Sequence, residues 1–261
     1  MFTEALQIEG LSAGYGARTV VHGLSIPAIP PGQLVSLIGP NAAGKTTLLR
    51  TIAGLHAGEG SVRLGARELT KLSLADHARL VTYMPQSLPQ QVALTVLETV
   101  TGALRASPVE GARLSDAEIL ERAMEVIDRV GITGLAMTQL DRLSGGQRQL
   151  ASLSQALARG PRVLLLDEPI SALDLHFQLR VMKLVHQIAR ETGMIVLMVL
   201  HDLEIAARWS DRVLIFAEGR LAADGAPAEA INSAVLADVY RVAAEVKLVD
   251  GRLRIDLDGI L

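Results

Sequence analysis

Apolar residues in this chain fall into two patterns that mark different parts of it. Val163-Leu164-Leu165-Leu166 and Ile195-Val196-Leu197-Met198-Val199-Leu200 are apolar at every position. Runs this short, bounded by turn or acidic residues, read as strands of a sheet covered on both faces. Leu34-Val35-Ser36-Leu37-Ile38 is a third β-prone run, and it leads through a glycine loop into the helix-periodic stretch Thr47 to Ala53. That order predicts strand, loop, helix. From about residue 95 to 158 the spacing turns helical, most clearly from Asp116 to Val130, where Ser115 is placed to cap the first turn. Gly60 to Gly65 reads as a short strand and turn, and two alternating runs around Asp250-Gly251, within Val246 to Ile255, predict a hairpin. The expected architecture is an α/β core with a parallel sheet and an inserted helical subdomain.

Composition narrows the classes without naming one. A chain of 261 residues suffices for one large domain carrying an insertion. Hydrophobic residues at 49% and charged residues at 20% describe a folded globular protein. A net charge of -3 gives no general attraction to nucleic acid or to anionic lipid, so no nucleic-acid partner is expected. The absence of cysteine excludes disulfides and thiolate metal sites and suits a reducing cytoplasm. Met1-Phe2-Thr3-Glu4 lacks the features of a signal peptide, and runs such as Met194 to Leu200 fall far short of the roughly 18 apolar residues of a spanning helix. Any link to a membrane is therefore expected to pass through a protein partner.

The chemistry begins at Gly39-Pro40-Asn41-Ala42-Ala43-Gly44-Lys45-Thr46, followed by Thr47. In a G-x-x-x-x-G-K-[ST] loop, glycine lets the backbone wrap phosphate oxygens, and the helix behind it supplies free N–H groups. Lys45 is placed to neutralise β- and γ-phosphate charge, and the Thr46 hydroxyl to ligate magnesium. Asp167 and Glu168 end the run Val163 to Leu166, at the strand edge where ligands of open α/β sheets gather. Asp167 is expected in the magnesium shell, and Glu168 as the base that polarises the attacking water. Leu143-Ser144-Gly145-Gly146-Gln147 opens a helix running to Ala158, so its hydroxyl and amide groups suit a phosphate as well as a cap.

Taken together, these elements resemble the nucleotide-binding subunits of ATP-binding cassette transporters over nearly the whole chain, and the five-residue string is the most specific of them. The resemblance implies a P-loop NTPase core with an antiparallel β subdomain, assigned to residues 1–87 and 160–261, and a helical subdomain at about 88–159. It also implies a head-to-tail homodimer in which Ser144, Gly145, Gly146 and Gln147 close on ATP and Mg2+ held by the other subunit's Lys45 loop. Gln86 resembles the glutamine that touches magnesium and the attacking water, and Asp174, in Ser171-Ala172-Leu173-Asp174, a loop coupling the two sites. His201 resembles the histidine on the γ-phosphate, and Tyr15 the aromatic residue stacked on adenine. Trp209 and the other histidines are expected to be structural or surface residues.

Two residues depart from the commonest family pattern. Thr46 stands where serine is usual and keeps the hydroxyl, whereas Ala42 stands where glycine is frequent and is a problem only if its φ is positive. The stretches around Tyr83-Met84-Pro85-Gln86, Leu94 to Val100 and Leu200 to Arg208 look like the importers of ferric siderophores, haem and cobalamin. That resemblance implies an ATPase on the cytoplasmic face of the membrane, bound to a multi-span permease that is served by a substrate-binding protein. Leu88, Val92, Leu94, Val96 and Leu97 are candidates for a permease-facing groove or equally for the ordinary core of the helical subdomain, and most of Val96, Leu97 and Val100 are expected in that core. The alternative is the ATPase of another importer, for a metal ion or other small solute, while soluble cassette ATPases of translation or DNA repair fit less well, since the chain carries one cassette and no long coiled coil.

Overall fold

The fully apolar runs are central strands. The computed structural model describes residues 1–86, 93–106 and 114–261. Its strands are β1 (Leu6–Tyr15), β2 (Arg18–Ile29), β3 (Leu34–Ile38), β4 (Gly58–Leu64), β5 (Arg67–Glu68), β6 (Val81–Met84), β7 (Val163–Asp167), β8 (Ile195–Val199), β9 (Arg212–Ala217), β10 (Arg220–Gly225), β11 (Val242–Val249) and β12 (Arg252–Ile260). The helices are α1 (Lys45–Ile52), α2 (Leu74–Leu80), α3 (Val96–Ala106), α4 (Asp116–Val130), α5 (Gly145–Ala158), α6 (Leu175–Thr192), α7 (Leu203–Trp209), α8 (Pro227–Ala230) and α9 (Ser233–Tyr240).

A six-stranded sheet in the order β10-β9-β3-β8-β7-β6 forms the centre, with every pair parallel except β9 with β10. Alternate residues of β7 serve two cores. Leu164 and Leu166 pack with α4, α5 and α6, while Val163 and Leu165 pack with α1 and the antiparallel sheet β2-β1-β4-β5. Both faces are covered, which is why these strands read as unbroken apolar runs.

Helices α3, α4 and α5 pack on one another. A capping box holds the start of α4, with Ser115 Oγ accepting from the Glu118 backbone N–H, as the sequence predicts. Val96 and Val100 are buried in this core, Leu97 is half-buried and Leu94 is exposed, while Leu88 and Val92 lie outside the described residues. The hairpin around Asp250-Gly251 is longer than the alternation suggests, and it forms its own two-stranded sheet against α7 and α9. Helix α1 begins at Lys45, two residues before the apolar periodicity does. Among the described residues, no helix is long and apolar enough to cross a membrane.

Candidate nucleotide site

Strand β3 delivers the chain into a loop whose backbone geometry only some residues tolerate. Gly39 has φ 144, and a Cβ there would lie 2.1 Å from the Phe216 carbonyl oxygen of β9. Gly44, the N-cap of α1, has φ 103 and no side-chain cap, leaving the first N–H groups of α1 without a cap from that side chain. Ala42 has φ 61, so the one substitution that matters only at positive φ does fall at positive φ. A left-handed alanine costs about 1–2 kcal/mol, and the surrounding loop holds it there.

The loop walls a cleft of about 370 Å³, lined by Asn41 to Thr47 together with Tyr15, Arg18, Val20, Glu168 and His201. Lys45 is buried, and its Nζ donates to the carbonyls of Gly39 (2.6 Å) and Pro40 (2.8 Å). Burial lowers its pKa, and the carboxylates of Glu168 and Asp167 oppose that shift.

Asp167 ends β7 and is almost fully buried. Thr46 Oγ1 donates to its Oδ1 at 3.2 Å and the Tyr83 hydroxyl to its Oδ2 at 3.0 Å. Burial raises the Asp167 pKa, and these two donors work in the opposite direction. The same burial, together with the Asp167 charge, raises the pKa of the Tyr83 hydroxyl, which keeps it a donor.

Glu168 has φ 52 and its carboxylate is held at both oxygens. Gln86 Nε2 donates to Oε2 and His201 Nε2 donates to Oε1, each at 2.6 Å. The Glu168 carbonyl accepts from Gln149 Nε2 at 2.6 Å, while Gln149 Oε1 accepts from the Ala172 N–H at 3.2 Å. Gln149 is buried and lies one turn into α5, so it ties that helix to the loop after β7. Thr46 and Asp167 bring hard oxygen donors together, a set suited to Mg2+. Among the described residues no three His, Cys, Asp or Glu side chains gather to hold a metal, so such an ion would complete its shell from phosphate and water.

The remaining sequence-predicted residues lie outside the lining of this cleft. Ser144 caps α5 by accepting from the Gln147 N–H at 3.2 Å, and the Gln147 side chain accepts from the Ser144 N–H at 2.9 Å. Gly145 and Gly146 begin that helix, and a Cβ on Gly146 would lie 2.9 Å from the Ala172 carbonyl oxygen. Asp174 caps α6 by accepting from the Phe177 N–H at 3.0 Å. Sequence reasoning missed Tyr83 and Gln149, and it set His56 aside. His56 packs on Tyr15 with ring centroids 4.5 Å apart and donates from Nε2 to the Gly14 carbonyl at 2.8 Å. Only the Tyr83-Met84-Pro85-Gln86 string carried a hint of the first, because a tyrosine three residues before Gln86 on the strand beside β7 reaches Asp167.

The ABC transporter family matches this chain over residues 23–171. The chain belongs to that family. Hemin import ATP-binding protein HmuV of Bordetella avium is 37% identical over 249 residues, covering 92% of this chain and 94% of the relative. Iron(3+)-hydroxamate import ATP-binding protein FhuC of Bacillus subtilis is 36% identical, covering 93% and 90%. Among solved structures, a dimeric bacterial ABC transporter cassette matches with a TM-score of 0.77 at 26% identity, covering 85% of this chain and 98% of that one. The P-loop fold expected from the sequence is the fold observed, and the loop from Gly39 to Thr47 lies within the residues that the family matches.

Proposed function

We propose that this cassette binds and hydrolyses ATP to power an importer of iron-siderophore, haem or cobalamin, acting as a homodimer with a multi-span permease at the cytoplasmic face of the membrane. The observation that carries the chemistry is the Glu168 carboxylate, which faces the Lys45 cleft with Gln86 and His201 each fixing one oxygen. The cargo class rests on near full-length relatives named for hemin and hydroxamate import, and cobalamin on the sequence resemblance alone.

In this reading Gly39 to Thr47 wrap the phosphates, Lys45 leaves the loop carbonyls to neutralise them, and Tyr15 stacks on the base. Thr46, Asp167 and Gln86 would hold Mg2+, which would supply charge neutralisation at the β- and γ-phosphates. Glu168 takes a proton from the attacking water, and His201 moves from Glu168 to the γ-phosphate. Ser144, Gly145, Gly146 and Gln147 face the ATP of the second copy, and Asp174 lies on the loop between the two sites. Residues 88–159 act as the helical subdomain on the 1–87 and 160–261 core, and a substrate-binding protein acts through the permease.

Replacing Glu168 by Gln keeps the size and one of the two accepting oxygens but removes the base. Steady-state ATP turnover is expected to fall by roughly 10²–10⁴-fold while ATP-bound dimers accumulate on a sizing column. Turnover at the parental rate would rule out the base assignment. Lys45→Ala, expected to lose ATP binding in a filter assay, is the control for the phosphate loop. Uptake of radiolabelled ferric siderophore, haem or cobalamin by cells lacking the chain then separates the cargoes, and unchanged uptake of all three would refute the cargo class.

A further inference from the structure

The outer strand of the C-terminal hairpin carries a charge pattern that is its own mirror. From Arg252 it reads Arg-Leu-Arg-Ile-Asp-Leu-Asp, so that about Ile255 each arginine maps onto an aspartate and leucine onto leucine. Among the described residues β12 pairs only with β11. Both strands pack on a helix, β11 on α9 and β12 on α7, but the Val246 N–H of β11 donates to Ser233 Oγ at 3.3 Å whereas among the described residues no backbone hydrogen bond joins β12 to α7, so the open edge of the hairpin is that of β12. Leu253 and Ile255 are half-buried against the main core. Between them and beyond them the side chains of Arg254 and Asp256 are 67% and 50% exposed, joined by an ion pair of 3.5 Å within the strand. Leu257 and Ile260 are 66% and 91% exposed. An open strand edge bearing exposed apolar residues is a template for another strand unless charge protects it. Here the charges select a partner.

We propose that β12 pairs antiparallel with β12 of a second copy of this chain, about a two-fold axis at Ile255, giving the four-stranded order β11-β12-β12-β11. Arg254 of each copy then faces Asp256 of the other, Leu253 faces Leu257, and Ile255 faces itself. Arg252 faces Asp258 at the margin. The ladder to β11 skips Asp258 between Leu257 and Gly259, which makes that outer pair the weaker one. Because the contact is isologous, every unlike pair occurs twice. The alternatives are penalised. Parallel pairing in register sets arginine on arginine, and moving the axis to Arg254 or Asp256 sets like charges at the centre. A contact this short buries less than a stable interface requires, so it is a weak association that acts where copies are concentrated or already held near one another. It needs no nucleotide, and so it is separable from an ATP-bridged dimer.

The test is sedimentation equilibrium of the full chain in EDTA without nucleotide at low salt. The expected result is a monomer–dimer equilibrium that weakens as salt rises. Arg254→Asp and Asp256→Arg each place two like-charge pairs at the contact, and each is expected to weaken the dimer by at least about tenfold. An equimolar mixture of the two variants restores two unlike pairs and should regain parental association. Both side chains are exposed, so thermal unfolding of each variant should match the parent. A parental chain that stays monomeric at every concentration, a dimer indifferent to either reversal, or a mixture that fails to regain association would each overturn the proposal.

Discussion

Two helix starts in this molecule are built in opposite ways. Helix α1 follows Gly44 at φ 103, with Ala42 at φ 61 before it and no side chain capping its first turn. Helix α5 follows an extended Ser144 whose hydroxyl and backbone are closed reciprocally by Gln147, three residues on. The first start is held by distant segments, with Gly39 pressed against Phe216 and Gly44 against Val20. The second satisfies itself. Free amides at α1 are available to an anion but leave backbone strain that the rest of the fold must offset. A self-capped start is stable alone, and a ligand reaching it must share the Ser144 hydroxyl with the Gln147 N–H.

The sharpest way to break this contrast is at Gly39. Gly39→Ala forces a Cβ against the Phe216 carbonyl, and urea unfolding of the nucleotide-free chain is expected to show a loss of about 3 kcal/mol. An unchanged midpoint would mean that the loop is not clamped by β9. Next comes Gln149→Ala, which strands the Ala172 N–H and leaves the Glu168 carbonyl to the Ser171 hydroxyl alone among side chains. The expected loss is about 2–3 kcal/mol, with a larger relative fall in ATP turnover than in ATP binding. Ser144→Ala removes the cap and should cost only about 1 kcal/mol in the same unfolding assay. If its turnover falls no further than that loss explains, the hydroxyl is a cap and nothing more. The smallest effect is a gain: Ala42→Gly relieves the left-handed alanine, less the extra entropy of glycine, for about 0.5 kcal/mol of added stability. A loss there would mean that the alanine is not strained.

The same contrast explains what the sequence made legible. The caps at Ser115 and Ser144 and the hairpin turn at Asp250-Gly251 are settled within a few residues, so residue types and spacing suffice to read them. The central strands were readable because covering both faces makes a run apolar throughout. Strands β1 and β2 were not, since register shifts along their ladder break the alternation that marks a half-buried strand. Tyr83 and Asp167 meet across 84 positions, and Gln149 meets Glu168 from the far side of a helix, with no periodicity to announce either contact. The sign of φ at Ala42 depends on the segments gripping the loop, so residue identity alone could only pose the question.

The Gln149 link carries a mechanical consequence. Its amide is gripped at one end by the carbonyl of Glu168 and at the other by the amide of Ala172, and its own side chain is buried. Any swing of α5 must therefore drag the backbone that carries the carboxylate or break two hydrogen bonds at once. A push delivered to the helices far from the cleft thus arrives at the glutamate as a tug on its own peptide, which makes α5 a handle on the acid.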